Sequence, residues 1–137
     1  MPLGRIRIVV STDGDIVVAR QSGRELAEQI GCSATDATLV ATAISEVARN
    51  IVTHAGRGEI VIRAVYGDSH DDPAIEIVAR DEGPGIVEVD RAMQDGFSTG
   101  PGLGLGLPGA RRLMDEFDIT SEVGQGTTVV MRKRRSR

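Results

Sequence analysis

Hydrophobic and polar positions first alternate with a period of two. Ile6, Ile8 and Val10 take turns with Arg5, Arg7 and Val9, which predicts a strand with one buried face. From Asp15 the period lengthens. Ile16, Ala19, Gly23, Leu26, Ala27 and Ile30 recur at helical spacing, with Asp15 placed to cap this helix and Gly31 to stop it. Ser33 opens a second helix, followed three residues on by Asp36 in a weaker relative of the capping box, and the pattern runs to about His54 before Gly56 and Gly58 end it. Along it Val40, Ile44, Val47 and Ile51 step by four, three and four, an apolar stripe to be buried on a sheet. Period-two alternation returns over Glu59 to Tyr66 and Ala74 to Ala79, joined by the polar turn Gly67 to Asp72, which predicts a hairpin. A glycine-rich stretch then leads into a short helix from about Ala110, and Asp118 to Val123 and Thr127 to Lys133 form a last pair around Gly124-Gln125-Gly126. Strands in antiparallel pairs with three helices between and beside them predict a two-layer α/β sandwich. Its sheet is expected to be mixed, mostly antiparallel, and covered by helices on one face.

Composition narrows this picture. With 137 residues, no internal repeat and no linker, residues 1–137 are expected to form one domain. Trp is absent and Phe and Tyr together number three, so the core has to be aliphatic. The single cysteine, Cys32, excludes an internal disulfide and reads as a small hydrophobe. No secretory signal or membrane-length apolar run is present, so the protein is expected to be soluble and cytoplasmic, without a membrane partner. The net charge is −4, although Arg132 to Arg137 carry five positive charges. An acidic body repels a phosphate backbone and the basic tail has no interleaved aromatics, so no nucleic-acid partner is expected.

Candidate chemistry begins at Asp95 to Phe117, reading DGFSTGPGLGLGLPGARRLMDEF. Glycines let backbone approach a ligand closely, and a helix N-terminus favours an anion, so this junction is suited to phosphate. Gly104, Gly106 and Gly109 fit G-x-G-x-x-G literally, but no strand runs into them and too little chain follows for a βαβ unit. A Walker A loop fails too, because no Gly-Lys-Ser/Thr follows. The second helix carries Glu46, Asn50 and Thr53 opposite its apolar stripe. Alone, these read as a solvent-facing polar stripe. Asp81-Glu82-Gly83-Pro84-Gly85, directly after a strand, shifts the balance: an acidic residue at a strand end, before two glycines about a proline, is placed to floor a site. Asp81 could instead only cap its turn.

Taken together these motifs resemble those of the GHKL ATPase and kinase superfamily, whose fold is the Bergerat ATP-binding fold. Glu46 to Asn50 is similar to its N-box, Asp81 to Gly85 to its G1 box, Gly102 to Gly106 to its G2 box, and Gly124 to Thr127 to its final Gly-x-Gly-Thr element. Within the superfamily, the short length and the segment Asp95 to Phe117 most resemble stressosome switch kinases of the RsbT type, with anti-sigma-factor kinases as near relatives. The resemblance implies ATP and Mg²⁺ as cofactors. It implies that Asn50 ligates Mg²⁺, Asp81 accepts from the adenine amino group, and Thr127 bonds near the adenine. Gly83 and Gly85 would admit the nucleotide, Gly102, Gly104 and Gly106 would form a lid over the phosphates, and Glu46 would be the general base. His54 matches a histidine often found at this N-box position and is not a phosphoacceptor. The implied activity is serine/threonine phosphorylation of a STAS-domain scaffold or antagonist, which holds the kinase until signalling frees it for a downstream effector such as a phosphatase. A competing expectation is an anti-sigma factor acting mainly by sequestration, and a dinucleotide-dependent oxidoreductase stands third. No Lys or Arg lies between Gly96 and Gly109, so stabilisation of the transferring phosphate falls to Mg²⁺, backbone N–H groups and a basic side chain such as Arg49. With no upstream dimerisation helices and no transducer domain, a two-component sensor kinase or a mechanical ATPase is not expected.

Overall fold

The computed structural model describes residues 5–66, 73–85 and 106–135. Strand β1 (Ile6–Val10) buries Ile8 and Val10 and exposes Arg7 and Val9, as its alternation requires. Helix α1 (Asp13–Gln29) starts three residues earlier than expected. Its cap is Thr12, whose Oγ1 accepts from the Asp15 N–H at 3.3 Å, while Asp15 Oδ2 accepts from the N–H groups of Ser11 at 2.9 Å and Thr12 at 3.1 Å. Asp15 thus caps from inside the first turn, as the reciprocal half of a capping box. Those backbone donors, Ser11 first and Thr12 next, hold its carboxyl below the usual carboxylate range.

Helix α2 (Ala34–Asn50) is capped by Ser33, whose Oγ accepts from the Asp36 N–H at 3.0 Å. The expected helix to His54 exists, but its last stretch changes form: Ile51–Ala55 is a π-helical turn, closed by Gly56 at φ 80°. The apolar stripe is buried as its spacing predicts, with Val40, Ile44, Val47 and Ile51 all at or below 2% exposure.

Strands β2 (Gly58–Tyr66) and β3 (Pro73–Asp81) form the expected hairpin, and β4 (Glu116–Glu122) pairs with β5 (Gly126–Arg134) as the last. The sheet order is β1-β2-β3-β5-β4. The sheet differs from a mixed one in that every described pairing is antiparallel. The reason is topological: β3 and β4 run in the same direction, but β5 lies between them, so no parallel ladder forms. That arrangement also removes the adjacent parallel strands a dinucleotide-binding fold needs.

Helices cover one face. Ile60, Ile62, Ile75, Ile77, Val129 and Met131 from the sheet meet the α2 stripe and α1, together with Leu107 and Ala110 of α3 (Gly106–Leu113) and Met114 just beyond it. Each fully buried aliphatic side chain contributes about 1.5–3 kcal/mol, so an aromatic-poor core suffices. On the other face Glu76 is only 4% exposed, held by Arg63 Nε at 2.7 Å and Arg132 Nε at 2.8 Å.

Candidate functional site

The site residues come from two directions, the C-terminal half of α2 and the far ends of β3 and β5. Asp81 is the last residue of β3, and the ladder sets it opposite Gly58 on β2 and Thr127 on β5. Its face of the strand is the one that carries Ile75, Ile77 and Ala79 toward the helices, so a carboxylate ends a row of core residues. Asp81 is 8% exposed and Thr127 5%. Asp81 Oδ1 accepts from the Gly83 N–H at 2.9 Å, closing an Asx-type turn. Among the described residues nothing else bonds this carboxylate, so the second oxygen remains available. Turn capping and ligand acceptance are therefore compatible, one oxygen for each. Thr127 Oγ1 lies 2.9 Å from Ser121 Oγ, and Ser121 Oγ also donates to the Gly126 carbonyl at 3.1 Å. Because the Ser121 proton goes to the carbonyl, Thr127 is the donor of the hydrogen bond between the two hydroxyls.

The two glycines of the turn serve the protein's own packing. A Cβ on Gly83 would stand 2.6 Å from the Ala55 Cβ in the π-helical turn, so α2 can meet the strand end this closely only over a glycine. Gly85, at φ 79°, lies against the backbone of Glu122 and Val123, where an added Cβ would stand 2.8 Å from the Glu122 carbonyl carbon. The Gly124 N–H donates to the Pro84 carbonyl at 2.9 Å, which fastens the same turn to the β4–β5 connection. The position a Cβ would take at Gly85 is thus occupied by protein backbone.

On α2, Glu46, Arg49 and Asn50 are three and four residues apart, on one face, while Thr53 lies beyond them in the π-helical turn. Glu46 is 9% exposed, and its Oε1 accepts from Arg49 Nη1 at 3.1 Å. Asn50 is half-buried at the helix end, and its side chain makes no hydrogen bond among the described residues. Its free amide oxygen is a hard donor of the kind Mg²⁺ takes. No group of three or more carboxylate, His or Cys side chains that could hold a metal exists among the described residues.

Helix α3 begins at Gly106, earlier than the expected start near Ala110, and packs against α2. Pro108 and Gly109 read as loop, but proline is tolerated in a first helical turn, where its missing N–H would have no intrahelical partner. Gly106 thus opens the helix, while Gly102 and Gly104 lie outside the described residues. Ser121 and Ala55, a hydroxyl in a strand alternation and an alanine in a helical stretch, carry no sequence signal of their contacts at this site. Cys32 is buried, and burial pushes its thiol up, in keeping with an inert hydrophobe. No helix among the described residues is long and apolar enough to cross a membrane.

A helix bearing an acid and an amide one turn apart, docked over an Asp-ended strand and two glycine turns, defines a nucleotide-binding α/β sandwich. The chain belongs to the histidine kinase-like ATPase domain family, whose model matches residues 9–133. It is 48% identical over 120 residues to the serine/threonine-protein kinase RsbT of Bacillus subtilis (strain 168), covering 88% of this chain and 89% of that protein. It is 32% identical over 122 residues to the anti-sigma F factor of Geobacillus thermodenitrificans (strain NG80-2), covering 84% and 81%. The fold is also similar to that of the mycobacterial sensor histidine kinase MprB, with a TM-score of 0.55 at 16% identity over 97% of both chains.

Proposed function

We propose that this chain is an ATP- and Mg²⁺-dependent serine/threonine protein kinase that phosphorylates a STAS-domain scaffold or antagonist in a stressosome-type partner switch. The STAS partner retains the kinase until signalling releases it, and the freed kinase then engages a downstream effector such as a phosphatase. One observation carries the reading: Glu46 and Asn50 lie one turn apart on a helix whose end packs directly on the Asp81–Gly85 turn. The similarity to a serine/threonine-protein kinase named RsbT over 88% of the chain supports the activity.

In this reading Asp81 accepts from the adenine amino group through the oxygen that its turn does not use. That contact favours ATP over GTP, because guanine presents a carbonyl there. Thr127 bonds near the adenine. Gly83 and Gly85 let backbone approach the nucleotide, and they also let the turn that carries Asp81 dock against the end of α2 and the β4–β5 connection. Asn50 ligates Mg²⁺, which when bound neutralises phosphate charge, and Gly102, Gly104 and Gly106 close over the phosphates. Glu46 takes the proton from the attacking serine or threonine hydroxyl.

The test pairs two variants. Asn50→Ala should lose most Mg²⁺-dependent binding of a fluorescent ATP analogue, whereas Glu46→Ala should bind ATP normally and transfer phosphate to its STAS acceptor ~10²- to 10⁴-fold more slowly. Wild-type transfer by Glu46→Ala would remove the base. A second reading, sequestration of a sigma factor, is favoured by the anti-sigma F relatives. It predicts stable, nucleotide-dependent capture of a sigma factor by the purified chain, which size-exclusion chromatography detects.

A further inference from the structure

We propose that Arg49 is a positioning residue for phosphoryl transfer, holding the Glu46 carboxylate by one oxygen and leaving the other as the proton acceptor. The inference rests on Glu46 being the base. The Glu46 side chain is 10% exposed and that of Arg49 42%, so a cation at the surface reaches back one turn to a carboxylate that is almost covered, with Nη1 to Oε1 at 3.1 Å. Among the described residues this is the carboxylate's one partner, and it engages Oε1 alone. A glutamate has three rotatable bonds, and a nearly buried carboxylate with no partner would swing toward water. A single fixed hydrogen bond removes that freedom without occupying both oxygens.

The choice of cation matters. A guanidinium stays protonated in proteins and carries no acceptor, so it can neither take the hydroxyl's proton nor compete for it. Arg49 therefore fixes the base without joining the transfer. Arg49 directly precedes Asn50, so the tether and the residue assigned to the metal share the last turn of α2. The bland alternative is a basic residue in the last turn of α2 that merely complements the helix dipole. A second alternative is that Arg49 touches the transferring phosphate itself. Both make different forecasts.

Four variants separate them: Arg49→Gln, Arg49→Lys, Glu46→Gln and the Glu46→Gln/Arg49→Gln double variant. Each is assayed for transfer from γ-labelled ATP to a STAS-domain acceptor or, where none accepts, for ADP release to water, with thermal midpoints confirming the fold. Arg49→Gln should lower kcat about 10- to 100-fold, the scale of a misplaced catalytic group, with KM for ATP within about twofold of wild type. Arg49→Lys should recover most of the loss. In the Glu46→Gln background, Arg49→Gln should cost nothing more, because a residue that acts only through Glu46 has nothing left to position. Wild-type kcat in Arg49→Gln overturns the proposal and leaves the dipole alternative. A further fall in the double variant overturns it in favour of direct contact with phosphate. If Glu46→Gln itself transfers at the wild-type rate, the base assignment fails and Arg49 with it. If Glu46→Gln is slow and Arg49→Gln is not, only the role of Arg49 is lost.

Discussion

At Asp81 the two carboxylate oxygens divide between fold and ligand. Oδ1 accepts from the Gly83 N–H, and an asparagine at this position retains that hydrogen bond through its own Oδ1. Asp81→Asn should therefore leave the melting temperature of the free protein within about a degree of wild type. What it loses is the second oxygen itself, since Nδ2 then stands in its place as a donor and cannot accept from the adenine amino group. Ligand at a hundred times its Kd adds about 2.7 kcal/mol of stability, which for a chain of this size raises the melting temperature by about 10 °C. Mg²⁺-ATP should give that rise in wild type and little of it in Asp81→Asn. An equal rise in both would make Asp81 structural and move the adenine elsewhere. The sequence made Asp81, Glu46 and Asn50 legible because each is a polar residue where the pattern asks for a strand end or a helix face. It also allowed that Asp81 caps its turn, but it did not show that Ser121 pairs with Thr127, because that contact joins β4 to β5 and follows only from the register.

Among the elements, the Asp81–Gly85 turn is held by the β4–β5 connection, and this contact carries a prediction of its own. Gly85 and Gly124 have almost the same backbone, φ 79° and φ 80°. An alanine at either pays the left-handed strain, about 1–2 kcal/mol. At Gly124 nothing lies within 4 Å of the added methyl, so strain is the whole cost. At Gly85 the methyl also drives into the Glu122 carbonyl, and backbone cannot turn away as a side chain can. Gly85→Ala should thus be the more destabilising by about 1–3 kcal/mol, the range of overpacking, and should weaken ATP binding by shifting Asp81. Urea unfolding of both variants measures the difference, and equal losses would show that the two turns are not tightly docked. The elements themselves were legible because period two and period 3.6 are local. The order β3-β5-β4 was not, since β5 joins a strand two strands earlier in the chain rather than its neighbour alone. The π-helical turn after Asn50 was equally hidden, as one widened turn leaves the hydrophobic stripe unchanged.

For the whole molecule, stability against acid is concentrated where the uncovered face of the sheet buries a charge. Glu76 lies on the central strand β3, flanked across the ladder by Arg63 on β2 and Arg132 on β5. Burial raises its carboxyl, but hydrogen bonds from Arg63 and Arg132 and the charges of both outweigh burial and hold it below its ordinary value. A group whose folded value is depressed contributes stability above the unfolded value and loses it as pH falls toward the folded one. The contribution of Glu76 is therefore complete above about pH 5 and declines as the pH drops below the ordinary glutamate value of about 4.3. Glu76→Gln keeps the shape and a hydrogen-bonding oxygen but not the charge, and hydrogen bonds to charged groups are worth about 1.5–3 kcal/mol. The variant should be less stable than wild type by about 2 kcal/mol at pH 7, and the gap should narrow as the pH falls below about 4. Every other ionisable group is common to the two proteins, so the difference between the two curves isolates Glu76. Urea melts of both proteins from pH 7 to pH 3 provide those curves. A gap that stays constant across that range would mean that the three-strand clasp is held by shape and hydrogen bonds alone, with no contribution from its charge.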